Sequence, residues 1–345
     1  MTRKITMMKA INEALDIAME RDEKVILLGE DIAGGATVEH LNGKGAWGGV
    51  FGLTKGLVEK YGTERVIDTP ISEMGYMGAA VGAAATGLRP VPELMFNDFI
   101  GFCFDTILAQ GSKMRYMFGG KATIPMTIRT NHGAGASAAA QHSGSYYGIL
   151  GSIPGIKVVV PSNPYDAKGL LLSAIEDDNI VVFSEDKTLY GLKGEVPEGY
   201  YTVEIGKAKV KREGTDLTIV SIGKMLYVAE EVADRLAEEG VSVEVIDLLT
   251  VAPWDQETVI HSVKKTNRLI VIDESNPHNN TATDIASVVS DKAFDYLDAP
   301  VKCVCAPNTP VPFAKNLEEL YIPNADKVLK VADDIIFDLK NRTLV

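Results

Sequence analysis

Cysteine is scarce. Three residues in 345, Cys103, Cys303 and Cys305, are too few for the disulfide framework of a secreted scaffold. Cys303 and Cys305 stand two apart on an expected strand with no histidine nearby, so a zinc site is not expected and both read as small core residues. Long apolar runs are also missing, and no stretch approaches the roughly 18 residues that cross a bilayer. Met1 to Ala10 carries Arg3, Lys4 and Lys9 but neither an apolar core nor a small-residue cleavage site. No secretory leader is therefore expected, and the predicted location is cytoplasmic. Positive charge is in deficit, and a net charge of −13 argues against nucleic acid and anionic membranes as partners. The deficit deepens late in the chain, where residues 201–345 hold 24 acidic against 16 basic side chains. That excess serves solubility or an acidic docking face.

Two nucleotide and nucleophile signatures are absent. No Gly-x4-Gly-Lys-Ser/Thr occurs, which removes a P-loop, and no Gly-x-Ser-x-Gly elbow occurs. Gly133-Ala134-Gly135-Ala136-Ser137-Ala138 fits the dinucleotide pattern Gly-x-Gly-x-x-Gly/Ala. That fold would continue into a long helix with an acid about 20 positions on. Gln141-His142-Ser143 interrupts instead, and the first acid downstream is Asp166. The dinucleotide reading fails.

What is present is a regular alternation of periods. Apolar residues at 7, 8, 11, 14, 15 and 18 form one helical stripe. Short apolar strands are predicted at 25–28, 65–68, 91–95, 124–129, 158–160 and 180–183, with helices at 72–85 and 164–176. Glycine, proline and charge dominate 189–204, which reads as a linker. The alternation then resumes with strands at 217–222, 241–248, 269–272 and 301–304, and helices at 225–239 and 255–263 and from 283 and 324. The expected architecture is α/β with two domains, residues 1–188 and 205–345, each built on a largely parallel sheet.

The most informative stretch is Asp68-Thr69-Pro70-Ile71-Ser72-Glu73-Met74-Gly75. Pro70 stops a strand, and Ser72 or Glu73 opens a helix whose glycines at 75, 78 and 82 allow close packing. Glu73 would then sit beyond the carboxyl end of a strand, where open α/β sheets bind ligands. Taken alone, an acid in a first helical turn more often complements the helix dipole.

These residues, with Gly87-Leu88-Arg89-Pro90, Glu93-Leu94-Met95-Phe96, Lys113-Met114-Arg115-Tyr116, Ala140-Gln141-His142-Ser143 and Pro154 to Pro161, resemble the E1 β subunits of 2-oxo acid dehydrogenases. Order and spacing match from about residue 4 to residue 330. Ser143-Gly144-Ser145-Tyr146-Tyr147, Glu185 to Tyr190 and Asp273 to His278 most resemble the acetoin dehydrogenase branch, with the pyruvate branch second.

The resemblance implies a thiamine-diphosphate (pyrimidine-type) domain followed by a transketolase C-terminal-like domain. It implies an E1 α partner in an α2β2 heterotetramer, with an E2 dihydrolipoamide acyltransferase receiving the acyl group. The α chain would ligate Mg²⁺ through a Gly-Asp-Gly motif, and this chain has none. By the same likeness Glu73 hydrogen-bonds N1′ of the aminopyrimidine, Phe99 packs on that ring, and Ile71 and Met95 line its pocket. Glu30 is a nearby acid implicated in proton relay, and His142 faces substrate and the lipoyl group. Phe96, Phe102 and Phe104 are expected in a core, and His132 is expected to be structural. A structural K⁺ held by the carbonyls of Met126, Ala174, Asp177 and Asn179 is also implied. Two departures stand in the second domain: Leu249 where Asp-Leu-Arg is common, and Asn279-Asn280-Thr281 in place of a glycine-rich turn. A self-sufficient transketolase-type homodimer and a non-catalytic scaffold are the competing readings.

Overall fold

Val25–Gly29 reads Val-Ile-Leu-Leu-Gly and is buried at every position, as are Ile180–Asp186, Leu217–Ser221 and Leu269–Asp273. Strands buried on both faces need such unbroken apolar runs, and helices must cover them. A computed structural model describes residues 2–34 and 47–341. Met1 and residues 342–345, the outer ends of the two expected domains, lie outside the described residues.

In chain order the first elements are β1 (Thr2–Thr6), α1 (Met7–Arg21), β2 (Val25–Gly29), α2 (Leu57–Tyr61), β3 (Val66–Asp68), α3 (Glu73–Ala85), β4 (Arg89–Phe96), α4 (Ile100–Asp105), α5 (Ser112–Met117) and β5 (Thr127–His132). Then come α6 (Tyr147–Gly151), β6 (Ile156–Val159), α7 (Pro164–Glu176), β7 (Ile180–Asp186) and β8 (Lys193–Pro197). The rest are β9 (Lys209–Arg212), β10 (Leu217–Ser221), α8 (Met225–Glu238), β11 (Val243–Asp247), β12 (Thr250–Ala252), α9 (Gln256–Thr266), β13 (Leu269–Asp273), α10 (Thr281–Lys292), β14 (Lys302–Cys305), α11 (Lys315–Tyr321) and α12 (Ala325–Asn341).

The chain packs as two units that interleave in sequence: Met1–His132 with Leu150–Ile205, and Gly133–Ile149 with Gly206–Val345. In the first, strands run β6-β7-β5-β4-β2-β3 with every neighbour parallel. The segment 189–204, expected as a linker, contains β8, which pairs antiparallel with β1 from Thr2↔Pro197 to Thr6↔Lys193. Neither strand carries a buried apolar run, so their pairing left no hydrophobic signature. Thr6 then caps α1 by accepting a hydrogen bond from Lys9 N.

In the second unit the order is β14-β13-β10-β11-β9, parallel except for β9 at the edge. Leu226, Val232 and Leu236 of α8 pack with Ile270, Val328 and Ile336 in its core. The two departures fall on left-handed backbone, Leu249 at φ 57° and Asn279 at φ 52°. Asparagine tolerates that region, and Asn280 caps α10 by accepting from Thr283 N at 2.9 Å. The polar turn thus does a glycine's work and starts a helix as well. Cys303 and Cys305 are only half-buried, and Asn280 Nδ2 lies 3.2 Å from Cys305 Sγ.

Candidate active site

Three neighbouring strands of the first unit carry or lead into acids. Glu30 follows β2 directly, Glu73 is the first residue of α3 just beyond β3, and Glu93 lies within β4. Pro70 and the turn after β3 start α3 at Glu73, so its carboxyl sits where the helix dipole favours negative charge. Ser72 occupies the cap position, but its side chain makes no capping hydrogen bond. Glu30 and Glu73 are 8% and 9% exposed. Glu30 Oε1 is buried with no hydrogen-bond partner among the described residues. Burial, with the negative charges of Glu73, Asp31 and Glu93, pushes the Glu30 carboxyl up to about 7. Such a group gains and loses its proton near neutrality. It can take part in proton transfer.

Phe99 closes the 3-10 turn Asn97–Phe99 that follows β4, half-buried, its ring edge-on to Phe96 at 5.6 Å and tilted against Phe102 at 6.2 Å. Met95 is half-buried at the end of β4. Ile71 is 84% exposed, so packing among the described residues leaves its side chain largely uncovered. Phe102, expected in a core, is 65% exposed, while Phe96 and Phe104 are half-buried. The reason is position: Phe102 lies on the face of α4 opposite the buried Cys103 and Ile100.

Behind the acids lies a network that sequence reading missed. Arg129 on β5, 2% exposed, donates to Glu93 Oε2 at 2.7 Å and to both oxygens of Glu185 at 2.8 and 3.0 Å. Tyr190 donates to Glu185 Oε2 at 2.7 Å. The two-pronged guanidinium contact is the strong kind of charged pair, and burial makes it costly to break. Glu93 and Glu185 both stand in motifs already quoted, but nothing in sequence shows that one arginine joins them. His132 is buried and shares a 2.8 Å hydrogen bond between Nδ1 and Ser184 Oγ.

Met126, Ala174, Asp177 and Asn179 belong to the same unit, the last three at or beyond the C-terminal end of α7. The carbonyls of Met126, Ala174 and Asp177 accept from Val181 N, Asp177 N and Arg89 Nη1. Each keeps a second lone pair, and a helix C-terminus favours a cation. Asn179, with Arg115 and Tyr116, also lines an open apolar cavity of about 870 Å³.

His142 belongs to the second unit, on a 3-10 turn, Ala140–His142, and is half-buried. The segment that carries it includes two non-glycine residues at positive φ, Ser137 at 50° and Ala139 at 61°. A cavity of about 260 Å³ lined by Ala140, Tyr146, Asn276 and Tyr321 opens beside that segment.

Both units have counterparts in known proteins. Residues 3–193 match the transketolase pyrimidine binding domain, and residues 206–328 match the transketolase C-terminal domain. The chain is 59% identical to the acetoin:2,6-dichlorophenolindophenol oxidoreductase subunit beta of Bacillus subtilis, covering 97% of this chain and 98% of that one. It is 53% identical to the protein of the same name from Cupriavidus necator, covering 96% and 97%. The pyruvate dehydrogenase E1 component subunit beta of Bacillus subtilis is 43% identical over 96% and 98%. A solved structure described as a split gene transketolase, inactive beta4 tetramer, superposes with a TM-score of 0.75 at 23% identity, covering 96% and 98%. That last likeness is one of fold.

Proposed function

The chain belongs to the E1 β subunits of the thiamine-diphosphate-dependent acetoin and 2-oxo acid dehydrogenases, and from that premise we propose that with an α partner it cleaves acetoin. Acetaldehyde leaves, the two-carbon unit that remains is oxidised to the acetyl level as the dithiolane of an E2 lipoamide is reduced, and one sulfur takes the acetyl group while the other takes a proton. The carrying observation is the pair of buried acids at the ends of β2 and β3, one with an oxygen that nothing in the described protein satisfies.

Those residues suit an aminopyrimidine. Thiamine diphosphate supplies, when bound, the nucleophilic carbon that attacks the substrate carbonyl. Glu73 holds a proton at N1′ of the pyrimidine, and Glu30, titrating near neutrality, exchanges a second proton beside it. Phe99 packs on the ring, and Met95 and Ile71 line its edges. An exposed Ile71 fits a pocket that a second chain completes. His142 gives a proton to a dithiolane sulfur as the acyl group transfers. Mg²⁺ belongs with the α chain, since this sequence lacks Gly-Asp-Gly. The carbonyls of Met126, Ala174, Asp177 and Asn179 hold a structural K⁺ at the negative end of α7.

Apolar side chains exposed at Ile71, Phe102, Tyr116, Met117 and Phe118 support assembly with another chain, in the α2β2 form. The acidic residues 201–345 offer a docking face to a basic segment of E2, a contact that salt should weaken.

Reconstitution with an α chain tests the substrate: turnover on acetoin should exceed that on pyruvate and branched-chain 2-oxo acids, and preference for pyruvate would overturn the assignment. Titrating thiamine diphosphate into the chain alone should show weak binding, and micromolar affinity would defeat the shared-site reading. For His142→Ala, lipoyl-coupled turnover should fall more than turnover with 2,6-dichlorophenolindophenol. Equal losses would remove its role in acyl transfer.

A further inference from the structure

The segment carrying His142 is held by acids and a lysine that lie far away in sequence, all within the second unit. Glu318 on α11 is 2% exposed. Its Oε1 accepts from Gly135 N at 2.7 Å and its Oε2 from Ser137 N at 2.9 Å. Lys224 donates to Ala134 O at 2.6 Å and pairs with Glu274 at 2.6 Å. The Ala134 side chain packs with Ala306, Val311 and Tyr321. At the other end Tyr147 donates to Asp273 Oδ1 at 2.5 Å, with both residues buried. Gly133 N closes the segment on Gly144 O at 3.2 Å.

Between these anchors the backbone is strained. Ser137 adopts φ 50°, and Ala139 stands at φ 61°, ψ −175°, a region glycine occupies almost alone. Such residues persist only where surrounding bonds over-determine them. Two charge-assisted bonds from one buried carboxylate to alternate backbone N–H groups provide that constraint. They end three residues before the Ala140–His142 turn.

We infer that Glu318 is a positioning residue: it clamps the Gly135–Ser137 backbone and so fixes the turn from which His142 reaches the acyl acceptor. The inference rests on the reading of His142 given above. Glu318 touches no reacting atom.

The test uses holoenzyme reconstituted with its α chain, in Glu318→Ala, Glu318→Gln, His142→Ala and the two double variants. Glutamine keeps one acceptor oxygen and should give an intermediate effect if alanine gives a large one. We expect Glu318→Ala to lower lipoyl-coupled turnover at least 10-fold and dye-coupled turnover less than 3-fold. In the His142→Ala background the same change should cost less than 2-fold. Amide exchange at Gly135 to His142 should rise in both single Glu318 variants, while exchange in β2 and β4 stays unchanged. Unchanged exchange in the segment would overturn the clamp. So would an undiminished turnover loss in the His142→Ala background, or equal losses in both assays. A His142→Ala variant that loses both activities equally, with exchange still raised by the Glu318 changes, would sink the role of His142 and leave the clamp as an anchor only.

Discussion

Glu318 and Asp273 in the second unit end on donors: two backbone N–H groups for one, a tyrosine hydroxyl and the N–H of Ser275 for the other. Glu30 in the first unit is buried too, yet one of its oxygens has no partner among the described residues, and its charged neighbours Glu73, Asp31 and Glu93 are negative. Burial costs each carboxylate its water. Where donors replace that water, the acid anchors backbone and is spent on structure. Where they do not, the acid keeps a proton within reach and remains open to a ligand. The first unit also contains its own counterexample, because Glu93 and Glu185 share Arg129. Depth of burial therefore does not mark the reactive acid. The supply of donors does.

The sharpest test removes the proton-sharing carboxyl and leaves its shape. Glu73→Gln in the reconstituted enzyme should lower turnover by about 10²–10⁴-fold, the range for a positioned proton-transfer group, with an unchanged thermal unfolding midpoint. Near-normal turnover would remove Glu73 from the proton transfer. Arg129→Met should act in the opposite way, on stability first. Two buried carboxylates would lose their cation, at a cost of about 3–5 kcal/mol by urea denaturation. A loss under 1 kcal/mol would mean that the pair contributes little.

Glu30 sharpens the comparison through pH. Its folded-state pKa is raised from 4.5 to about 7, so the folded form binds the proton more tightly than the unfolded chain. The stability this provides is complete below pH 4.5 and is lost as pH rises through about 7. Glu30→Gln should therefore gain stability relative to the parent as pH rises from 4.5 to 8. Denaturation midpoints across this range test it, and parallel curves for the two proteins would refute it. The smallest effect belongs to Tyr147→Phe in the second unit. It removes one of Asp273's donors while the Ser275 N–H remains, and should cost about 1–2 kcal/mol. A larger loss would show that donors there are not interchangeable.

Much of this was legible in the sequence. The runs at Val25, Ile180, Leu217 and Leu269 announced strands because parallel sheets bury both faces. Pro70 followed by Ser72-Glu73 placed Glu73 at a helix start for local steric reasons. What escaped was long-range or polar. β1 and β8 pair through backbone groups alone, and Lys193-Gly194-Glu195-Val196-Pro197 looks like a linker to any local rule. Arg129 and Glu318 are charged residues whose burial depends on partners 36 to 183 positions away. The glycine-rich run at 133–138 fits a dinucleotide-binding pattern that its surroundings exclude. Its alternating small residues did carry a signal, for a backbone that must turn left-handed close to another chain segment. Phe102 shows the limit of aromatic content as a sign of core: periodicity on α4 places it outside.

The interleaving of the two units has a consequence for synthesis. Gly135 and Ser137 leave the ribosome well before Glu318, which is made roughly 10–35 s later at 5–20 residues per second. Until then their N–H groups and the left-handed backbone at Ala139 have no clamp. The turn bearing His142 is thus among the last parts of the chain to gain its final constraint, although it lies before the midpoint. Chaperones would meet a chain whose first unit is fully made while this turn is still open. A nascent chain stalled before residue 318 should show protease cleavage near Ala139, and one stalled well beyond α11 should resist it.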